Sequence, residues 1–163
     1  MTMTSAFGEL RKGVFPTMQT RTYADPTTQP FWDGAREDHL VVPRCASCGT
    51  FRLPPYPICY ACQSFDVEWV ELPGTGTVYS YTIVRHPLHP DLAAIVPYVS
   101  GIVELDGTQG EGARMLVNII DCEPEEITIG TRVQVVFEHV NDDMSTPRFR
   151  PVRDEEPIRD DEE

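Results

Sequence analysis

Residues 45–62 read CASCGTFRLPPYPICYAC, and this stretch decides what the first half of the chain is built around. It contains two C-x-x-C pairs, Cys45 with Cys48 and Cys59 with Cys62, with ten residues between the pairs. In each pair the short spacing lets one tight turn direct two thiolates at a shared point, and two such turns complete the tetrahedral four-sulfur shell that Zn(II) favours. Because four protein ligands leave no open position, we predict a structural zinc ion rather than a catalytic one.

Other uses of these cysteines stay open as alternatives. A redox C-x-x-C pair usually opens a helix, whose N-terminus lowers the thiol pKa, but Pro43 precedes the first pair and Pro57 leads into the second, so neither begins a helical pattern. Two disulfides would suit a secreted chain, yet the first residues lack the apolar run of a signal peptide, which favours the reducing cytoplasm. An iron centre in the same four-sulfur shell is a further alternative.

The composition restricts the classes of partner. The chain has 163 residues and a net charge of -13, from 26 acidic and 13 basic residues, and Lys12 is its only lysine. A surface that follows a phosphate backbone would have to be built from a few arginines, so we do not expect a nucleic-acid partner. No segment approaches the roughly 18 consecutive apolar residues of a membrane span, so we expect a soluble, cytoplasmic protein without a membrane partner.

The chain divides into four segments by composition. The first is a polar, irregular segment expected to form an extended N-terminal arm, and the second contains a short helix and the zinc ribbon. The third has the alternation of β-strands, and the last is an acidic tail expected to be disordered. A ribbon of about thirty residues needs its metal because it buries too little apolar surface to fold alone. The predicted boundaries are 1–29, 30–72, 73–152 and 153–163.

The predicted helix begins at Pro30, which suits a first turn, and apolar residues recur every three to four positions as far as Leu40. It carries two large apolar residues, Phe31 and Trp32, which either cap the β domain or bind another protein, with packing inside the chain slightly favoured. The ribbon is expected to have three short antiparallel strands. They span 40–44, 50–53 and 67–72.

Beyond the turn residues Pro73 and Gly74, the apolar residues alternate with polar ones, which is typical of strands. The five predicted strands span 77–84, 98–105, 114–120, 132–138 and 148–152. The segment 122–130 between the third and fourth is long enough for one short helical turn. Five strands with such an insert fit a small OB-type Greek-key barrel, so the predicted fold class is mainly β, with a short N-terminal helix, a zinc ribbon and a five-stranded OB barrel.

The order of several motifs resembles one family, the thirty-fifth domain-of-unknown-function family, whose fold is a rubredoxin-like zinc ribbon joined to an OB-fold. The resemblance covers about residues 28–152. One departure is Gln63, where the family often has glycine. The motifs that carry it are Pro30-Phe31-Trp32, the two cysteine pairs with Pro54-Pro55 between them, the run from Gly74 to Thr82, Ile129-Gly130-Thr131-Arg132-Val133, and Pro147-Arg148-Phe149-Arg150-Pro151.

The resemblance implies a partner protein. Family members look like accessory subunits of acyl-CoA enzymes, encoded with thiolase-like proteins and in some cases with hotdog-fold enoyl-CoA hydratases. The thiolase-like chain then carries the catalytic residues for Claisen, retro-Claisen or retro-aldol chemistry, as in lipid or steroid degradation. The ribbon-OB chain supplies an interface in a hetero-oligomer, and lining part of the acyl-CoA channel is a further implied role.

Candidate contacts to CoA follow from residue type alone. The nucleotide end of CoA carries phosphates, for which arginines and aromatic faces are suitable. The candidates are Arg52, Tyr56, Arg85 and Arg114. Each of them could equally serve ordinary surface packing.

No catalytic set emerges from the remaining ionisable residues. His86 and His89 lie in a proline-held loop, His39 precedes an already complete cysteine shell, and Cys122 has no nucleophile context, so its predicted role is a small apolar one. The leading hypothesis is therefore a noncatalytic zinc-containing subunit. The alternatives are a single-stranded nucleic-acid-binding module that uses aromatic residues such as Tyr79, Tyr81 and Phe137, and an independent acyl-CoA enzyme.

Overall fold

The structure, a computed structural model, describes residues 10–16, 25–108 and 113–153. The predicted acidic tail lies outside these ranges except for Arg153, as does much of the predicted arm, and the four domain boundaries stay a prediction. The elements are one helix, α1 (Gln29–Arg36), and seven strands, β1 (Leu40–Cys45), β2 (Val67–Leu72), β3 (Thr75–Val84), β4 (Tyr98–Leu105), β5 (Arg114–Ile119), β6 (Arg132–Asn141) and β7 (Met144–Pro151), with 3-10 turns at Pro90–Leu92 and Pro124–Glu126.

Two of the three predicted ribbon strands form a sheet. β1 and β2 pair antiparallel, from Leu40 opposite Leu72 to Cys45 opposite Val67. The prediction of a third strand over 50–53 was wrong, since this segment makes only an isolated bridge between Arg44 and Phe51. The reason is the pair of prolines that follows at 54–55, which lack the N–H groups needed to continue a ladder.

The second sheet closes into a barrel in the order β3-β4-β5-β7-β6, with β6 pairing back onto β3. β5 and β7 are parallel, and the other neighbours are antiparallel. This order is that of an OB-fold, so the predicted mainly β fold class is confirmed. The 3-10 turn at Pro124–Glu126 lies in the insert where a short helical turn was predicted.

One hydrophobic core joins the ribbon to the barrel. Helix α1 contacts β1 on the ribbon and β6 and β7 on the barrel. Its Phe31 is buried and lies edge-on to Trp32, with ring centroids 5.1 Å apart. Phe31 belongs to one cluster with Val42 of the ribbon and Val133 of the barrel. The two aromatic residues therefore pack inside the chain, and α1 fixes the ribbon against the barrel.

Residues 10–16 of the predicted arm lie against the barrel and are held there by hydrogen bonds. The Gly13 amide donates to the carbonyl of Ile95 at 2.8 Å. The Phe15 amide donates to Asn118 Oδ1 at 2.8 Å, and the Phe15 carbonyl accepts a bond of 2.7 Å from Arg148 Nη2. This part of the arm thus has specific partners on strands β5 and β7.

A buried ion pair supports this contact. The Arg148 side chain is 4% exposed and its Nε donates to Glu138 Oε2 at 2.7 Å. Burial raises the pKa of Glu138, but hydrogen bonding and attraction by Arg148, together with Arg11, outweigh burial and lower that pKa below its ordinary value. A charged carboxylate in this place keeps Arg148 positioned to hold the arm.

Helix α1 has eight residues, and no helix within the described ranges combines the length and apolar character that crossing a bilayer requires.

Candidate metal centre

The first cysteine pair lies in a turn at the end of β1. The Cys45 amide donates to the Thr50 carbonyl at 2.8 Å, and the Gly49 amide donates to the Cys45 carbonyl at 2.8 Å. Gly49 has a φ of 77°, in the left-handed region that glycine adopts without strain. These two bonds fold the chain back on itself, so that the thiols of Cys45 and Cys48 lie on the same side.

The second pair repeats this geometry. The Cys59 amide donates to the Ser64 carbonyl at 2.9 Å, and the Gln63 amide donates to the Cys59 carbonyl at 2.9 Å. Gln63 takes the place of Gly49 and has a φ of 61°. The sequence departure at Gln63 therefore leaves the turn unchanged in form, but it places a side chain in a conformation that costs about 1–2 kcal/mol.

The two turns bring all four thiols together. The sulfurs of Cys45, Cys48, Cys59 and Cys62 all lie within 4.8 Å of one another. Across the pairs, the Sγ atoms of Cys45 and Cys62 are 3.5 Å apart and those of Cys48 and Cys59 are 3.7 Å apart. A disulfide needs about 2.05 Å, whereas sulfurs bound tetrahedrally at about 2.3 Å to one ion lie roughly 3.8 Å apart. The spacing fits a shared metal ion and does not fit disulfides.

The ionisation of the thiols also fits a metal site. Burial raises the pKa of Cys45, but hydrogen bonds from the Cys48 backbone and the Arg52 side chain outweigh it and lower that pKa to about 6. For Cys62 the Ser64 backbone lowers the pKa, while the neighbouring thiols of Cys48 and Cys45 raise it to about 12. Four crowded thiols cannot all become thiolates unless a cation neutralises them, and a divalent metal ion supplies that charge.

A buried arginine lies beneath the cluster. Arg52 is 2% exposed, and its guanidinium donates to the carbonyls of Tyr56, Pro57 and Asp66, at 3.3 Å and 3.0 Å for the first two. Its Nε atom is buried and has no hydrogen-bond partner among the described residues. Because four thiolates around a divalent ion carry two net negative charges, a positive charge next to Cys45 suits a loaded site.

This burial bears on the prediction that Arg52 contacts CoA. Its terminal nitrogens donate to three backbone carbonyls inside the ribbon, its side chain also acts on the Cys45 thiol, and only 2% of its surface reaches solvent. The side chain therefore stabilises the backbone around the second turn, and its guanidinium is poorly accessible to a phosphate group. Tyr56, the neighbouring candidate, is 66% exposed.

The other two CoA candidates lie on the barrel. Arg85 follows β3 and pairs with Glu125 at 2.6 Å. Arg114 begins β5, pairs with Glu104 at 2.9 Å and stacks over the ring of Tyr79, with its guanidinium carbon 3.7 Å from the ring centroid. Such a cation–π contact is a feature that sequence reasoning missed, because Tyr79 and Arg114 meet only through strand pairing.

The structure does not bring these two arginines together. Arg114 lies opposite Glu104, which lies opposite Thr77, and Arg85 lies eight residues further along β3. Along the strand, at about 3.3 Å per residue, this separation is at most roughly 26 Å. Arg85 and Arg114 therefore lie beside opposite ends of β3.

Of the ionisable residues weighed for catalysis, Cys122 is partly buried and packs against the core. Burial, together with the charges of Glu126, Asp121 and Glu123, raises the pKa of its thiol to about 11, which disfavours a nucleophilic thiolate. His39 is exposed and bonded to Glu71, which raises its pKa. Neither residue belongs to the four-cysteine cluster.

Replacing Gln63 with glycine is expected to stabilise the chain by about 1 kcal/mol, because glycine adopts the positive φ of this position without strain. Urea unfolding of the metal-loaded protein measures the change. The matched reverse variant is Gly49→Gln, which should lose a similar amount at the equivalent position of the first turn. A Gln63→Gly protein that is less stable than the parent would contradict this account of the turn.

Comparison with known proteins agrees with the geometry. A family model described as "ChsH2, rubredoxin-like zinc ribbon domain" matches residues 32–68, and one described as "ChsH2, C-terminal OB-fold domain" matches residues 69–138. A "DUF35 domain-containing scaffold protein" of Methanocaldococcus jannaschii is 38% identical over 114 residues, which are 69% of this chain and 77% of that protein. The chain belongs to the DUF35 family. The resemblance found from the order of motifs is thereby confirmed.

Two further matches have names that describe enzymes. A "probable enoyl-CoA hydratase alpha subunit" of Thermomonospora curvata is 43% identical over 122 residues, which are 74% of this chain but only 36% of that subunit. A solved structure titled "Ltp2-ChsH2(DUF35) aldolase" contains a chain that is 39% identical, with a TM-score of 0.69 over 80% of this chain and 98% of that one. This chain thus corresponds to about a third of the hydratase subunit and to nearly all of the chain from the aldolase structure.

Proposed function

We propose that this DUF35 protein is a noncatalytic, zinc-containing accessory subunit of an acyl-CoA enzyme and that its partner is a thiolase-like protein performing carbon–carbon bond cleavage or formation. The observation that carries the proposal is the match to 98% of a chain from a structure named as an aldolase. The match to the hydratase subunit covers only 36% of that subunit, so it supports an acyl-CoA enzyme in general and not one reaction.

Zinc is the ion proposed for the four-cysteine cluster. Cys45, Cys48, Cys59 and Cys62 would hold it, and the sulfur spacing and the charge of Arg52 support a tetrathiolate site. When bound, the ion supplies charge neutralisation and a fixed link between the two turns, since a shell of four protein ligands leaves no position for substrate. The role assigned to it is structural.

Carbon–carbon chemistry is assigned to the partner because the most perturbed ionisable groups on the barrel are held in structural roles. The carboxylate of Glu138 neutralises Arg148, and Asp106 pairs with Arg132, which lowers the pKa of Asp106 by hydrogen bonding. The Cys122 thiol lines a pocket with Asp121, Glu123 and Glu126, but burial keeps it protonated, with a pKa of about 11. These two carboxylates and this thiol are therefore poorly suited to act as a catalytic base or nucleophile.

A direct contact with CoA is a finer part of the proposal. Among the four residues predicted for it, Arg114 is partly exposed and is held in place by stacking on Tyr79, although Glu104 already pairs with it at 2.9 Å. Tyr56 is exposed on the ribbon, and Arg85 is exposed at the far end of β3. The buried side chain of Arg52 is the least suitable of the four.

A nucleic-acid-binding function is less well supported. Of the three aromatic residues considered for base stacking, Tyr81 and Phe137 pack against the core, and Tyr79 is covered by Arg114. A stacking platform needs several exposed rings in a basic groove, whereas this chain has a net charge of -13.

Coexpression with a thiolase-like protein from the same organism, chosen from the neighbouring genes, tests the proposal. We expect the two proteins to copurify as a hetero-oligomer, with about one zinc ion per copy of this chain by elemental analysis. The complex should unfold at a higher temperature than the partner alone, because association stabilises both subunits. A chain that stays monomeric and changes neither the stability nor the activity of its neighbour would overturn the proposal.

A further inference from the structure

The second cysteine turn carries an apolar groove that the metal site does not use. We call it the knuckle groove. It has a volume of about 330 Å³ and, apart from the buried Arg52 beneath it, is lined by Leu53, Pro54, Tyr56, Ile58 and Tyr60. Tyr56 is 66% exposed and Tyr60 is 70% exposed. Two exposed tyrosines and an exposed isoleucine in one groove are unusual for a surface that only meets water.

The charge distribution sets this groove apart from the rest of the molecule. No acidic, basic or histidine residue occurs between positions 53 and 65, although the whole chain has a net charge of -13. The positive group that borders this segment, Arg52, is turned inward and bonded to carbonyls. A neutral apolar surface on so acidic a protein is complementary to a neutral apolar surface of another molecule, and it offers no attraction to an ionic ligand.

The area is also suited to the centre of a protein interface. Phe65, which is 70% exposed, and Val67, which is 45% exposed, follow the second cysteine pair in sequence. With about 150–250 Å² for a whole aromatic side chain, the exposed parts of the groove residues and of these two add up to on the order of 500 Å². A standard protein interface takes about 800 Å² from each partner, with an apolar core and a polar rim. The knuckle groove is large enough to be that core.

The barrel offers a competing surface that is less suitable. Its exposed apolar residues include Leu116, which is 73% exposed, and Tyr79. Tyr79 is covered by Arg114, and Arg114 is in turn paired with Glu104 at 2.9 Å. Burying this surface would require desolvating an ion pair, whereas the knuckle groove can be buried without removing any charge from water.

We propose that the knuckle groove is the docking surface for the thiolase-like partner, and that the partner inserts an uncharged, apolar segment between Tyr56 and Tyr60. This inference rests on the proposed function and names the face that the subunit uses. A bound metal ion would then also maintain the shape of the docking surface, because its proposed ligand Cys59 lies between two residues that line the groove. Arg52 supports the same segment by donating hydrogen bonds to the carbonyls of Tyr56 and Pro57. A preformed groove binds with a smaller loss of conformational entropy.

Binding of purified variants to the neighbouring thiolase-like protein, measured by calorimetry, tests the inference. Tyr60→Ser is expected to raise Kd at least tenfold, and the double variant Tyr56→Ser with Tyr60→Ser at least a hundredfold, as for aromatic residues at the centre of an interface. The control is Leu116→Ser, an equally exposed apolar position on the barrel, which should stay within about twofold of the parent. Zinc content and thermal unfolding check that each variant is folded. If Tyr60→Ser loses zinc, the Kd of the single variant Tyr56→Ser tests the inference instead, because Tyr56 lies outside both C-x-x-C pairs.

Each outcome separates the inference from the proposed function. If the parent chain binds and both tyrosine variants bind equally well, the docking surface lies elsewhere and the inference is overturned, while the accessory-subunit function stands. Weakening by Leu116→Ser alone would place docking on the barrel and also overturn it. A homodimer of the parent that Tyr60→Ser dissociates would make a second copy the occupant. If the parent chain does not bind the partner at all, the proposed function fails and the inference falls with it.

Discussion

Replacing Cys45 with alanine is expected to remove the metal ion and unfold the ribbon, and with it to abolish assembly with the partner before any catalytic step is affected. Cys45 is fully buried at the end of β1, where its amide and carbonyl both form the first turn. Three remaining thiols cannot complete the tetrahedral shell. Zinc content should fall from about one ion per chain to below about 0.1.

The expected loss of stability is large in relation to the total. Structural zinc contributes an apparent free energy of roughly 10–16 kcal/mol in small zinc modules, whereas a whole domain is stable by only about 5–15 kcal/mol. The ribbon has a sheet of two strands, which is marginal without support. Hydrogen exchange should show loss of protection along Leu40–Cys45, while the closed barrel keeps part of its protection because its strands pair with one another.

The matched control is Cys122→Ala. Cys122 is the one cysteine outside the cluster, it packs against the core, and its substitution should cost about 1 kcal/mol without loss of zinc. Elemental analysis and gel filtration with the partner distinguish the two variants. A Cys45→Ala protein that retains a full complement of zinc and still forms the complex would show that the cluster is not the structural centre described above.

The clustering of the four cysteines and most of the fold could be predicted from sequence because their determinants are local. The spacing of Cys45, Cys48, Cys59 and Cys62 brings the four thiols together, while their role as zinc ligands stays a prediction, and a period of two residues marks the strands. Each barrel strand lies where this period predicted it, within a few residues at its ends. The OB order followed from the number of strands and the short insert between the third and fourth.

What could not be predicted depends on contacts between distant residues. An arginine between two cysteine pairs looks like a surface cation in sequence, and the burial of Arg52 arises from the Asp66 carbonyl fourteen positions away. The arm was expected to be merely extended, yet Phe15 bonds to Asn118 and Arg148, across 103 and 133 positions. The hydrophobic periodicity of the sequence does not predict such contacts, because they depend on how the barrel closes.

The second large effect is expected from Arg148→Ala, which should lower the free energy of unfolding by about 2–4 kcal/mol. The substitution leaves the carboxylate of Glu138, which is 28% exposed, with Arg11 as an ion-pair partner, and removes the donors to the Phe15 carbonyl and to Asn118 Oδ1. The magnitude is set below that of a fully buried ion pair because Glu138 keeps Arg11 and some contact with solvent. For a chain of this size the midpoint of thermal unfolding should fall by about 10 °C.

A control separates this ion pair from surface pairs in general. Arg36 pairs with Asp33 on the exposed side of α1, where the two side chains are 41% and 44% exposed. Because solvent screens such a pair, Arg36→Ala should change stability by no more than about 0.5 kcal/mol. Arg148→Met, which keeps much of the side-chain volume, should be nearly as unstable as Arg148→Ala if hydrogen bonding and charge are responsible.

Proteolysis distinguishes loss of the arm contact from general destabilisation. Arg11 and Lys12 are trypsin sites in the segment that Arg148 holds against the barrel. At a temperature where both proteins are folded, Arg148→Ala should be cleaved there at least tenfold faster than the parent, because local opening then exposes the segment. Arg36→Ala should be cleaved at the parental rate. Equal cleavage of all three proteins would mean that residues 10–16 are held by apolar contacts such as Phe15 on Tyr98, and that Arg148 stabilises only the barrel.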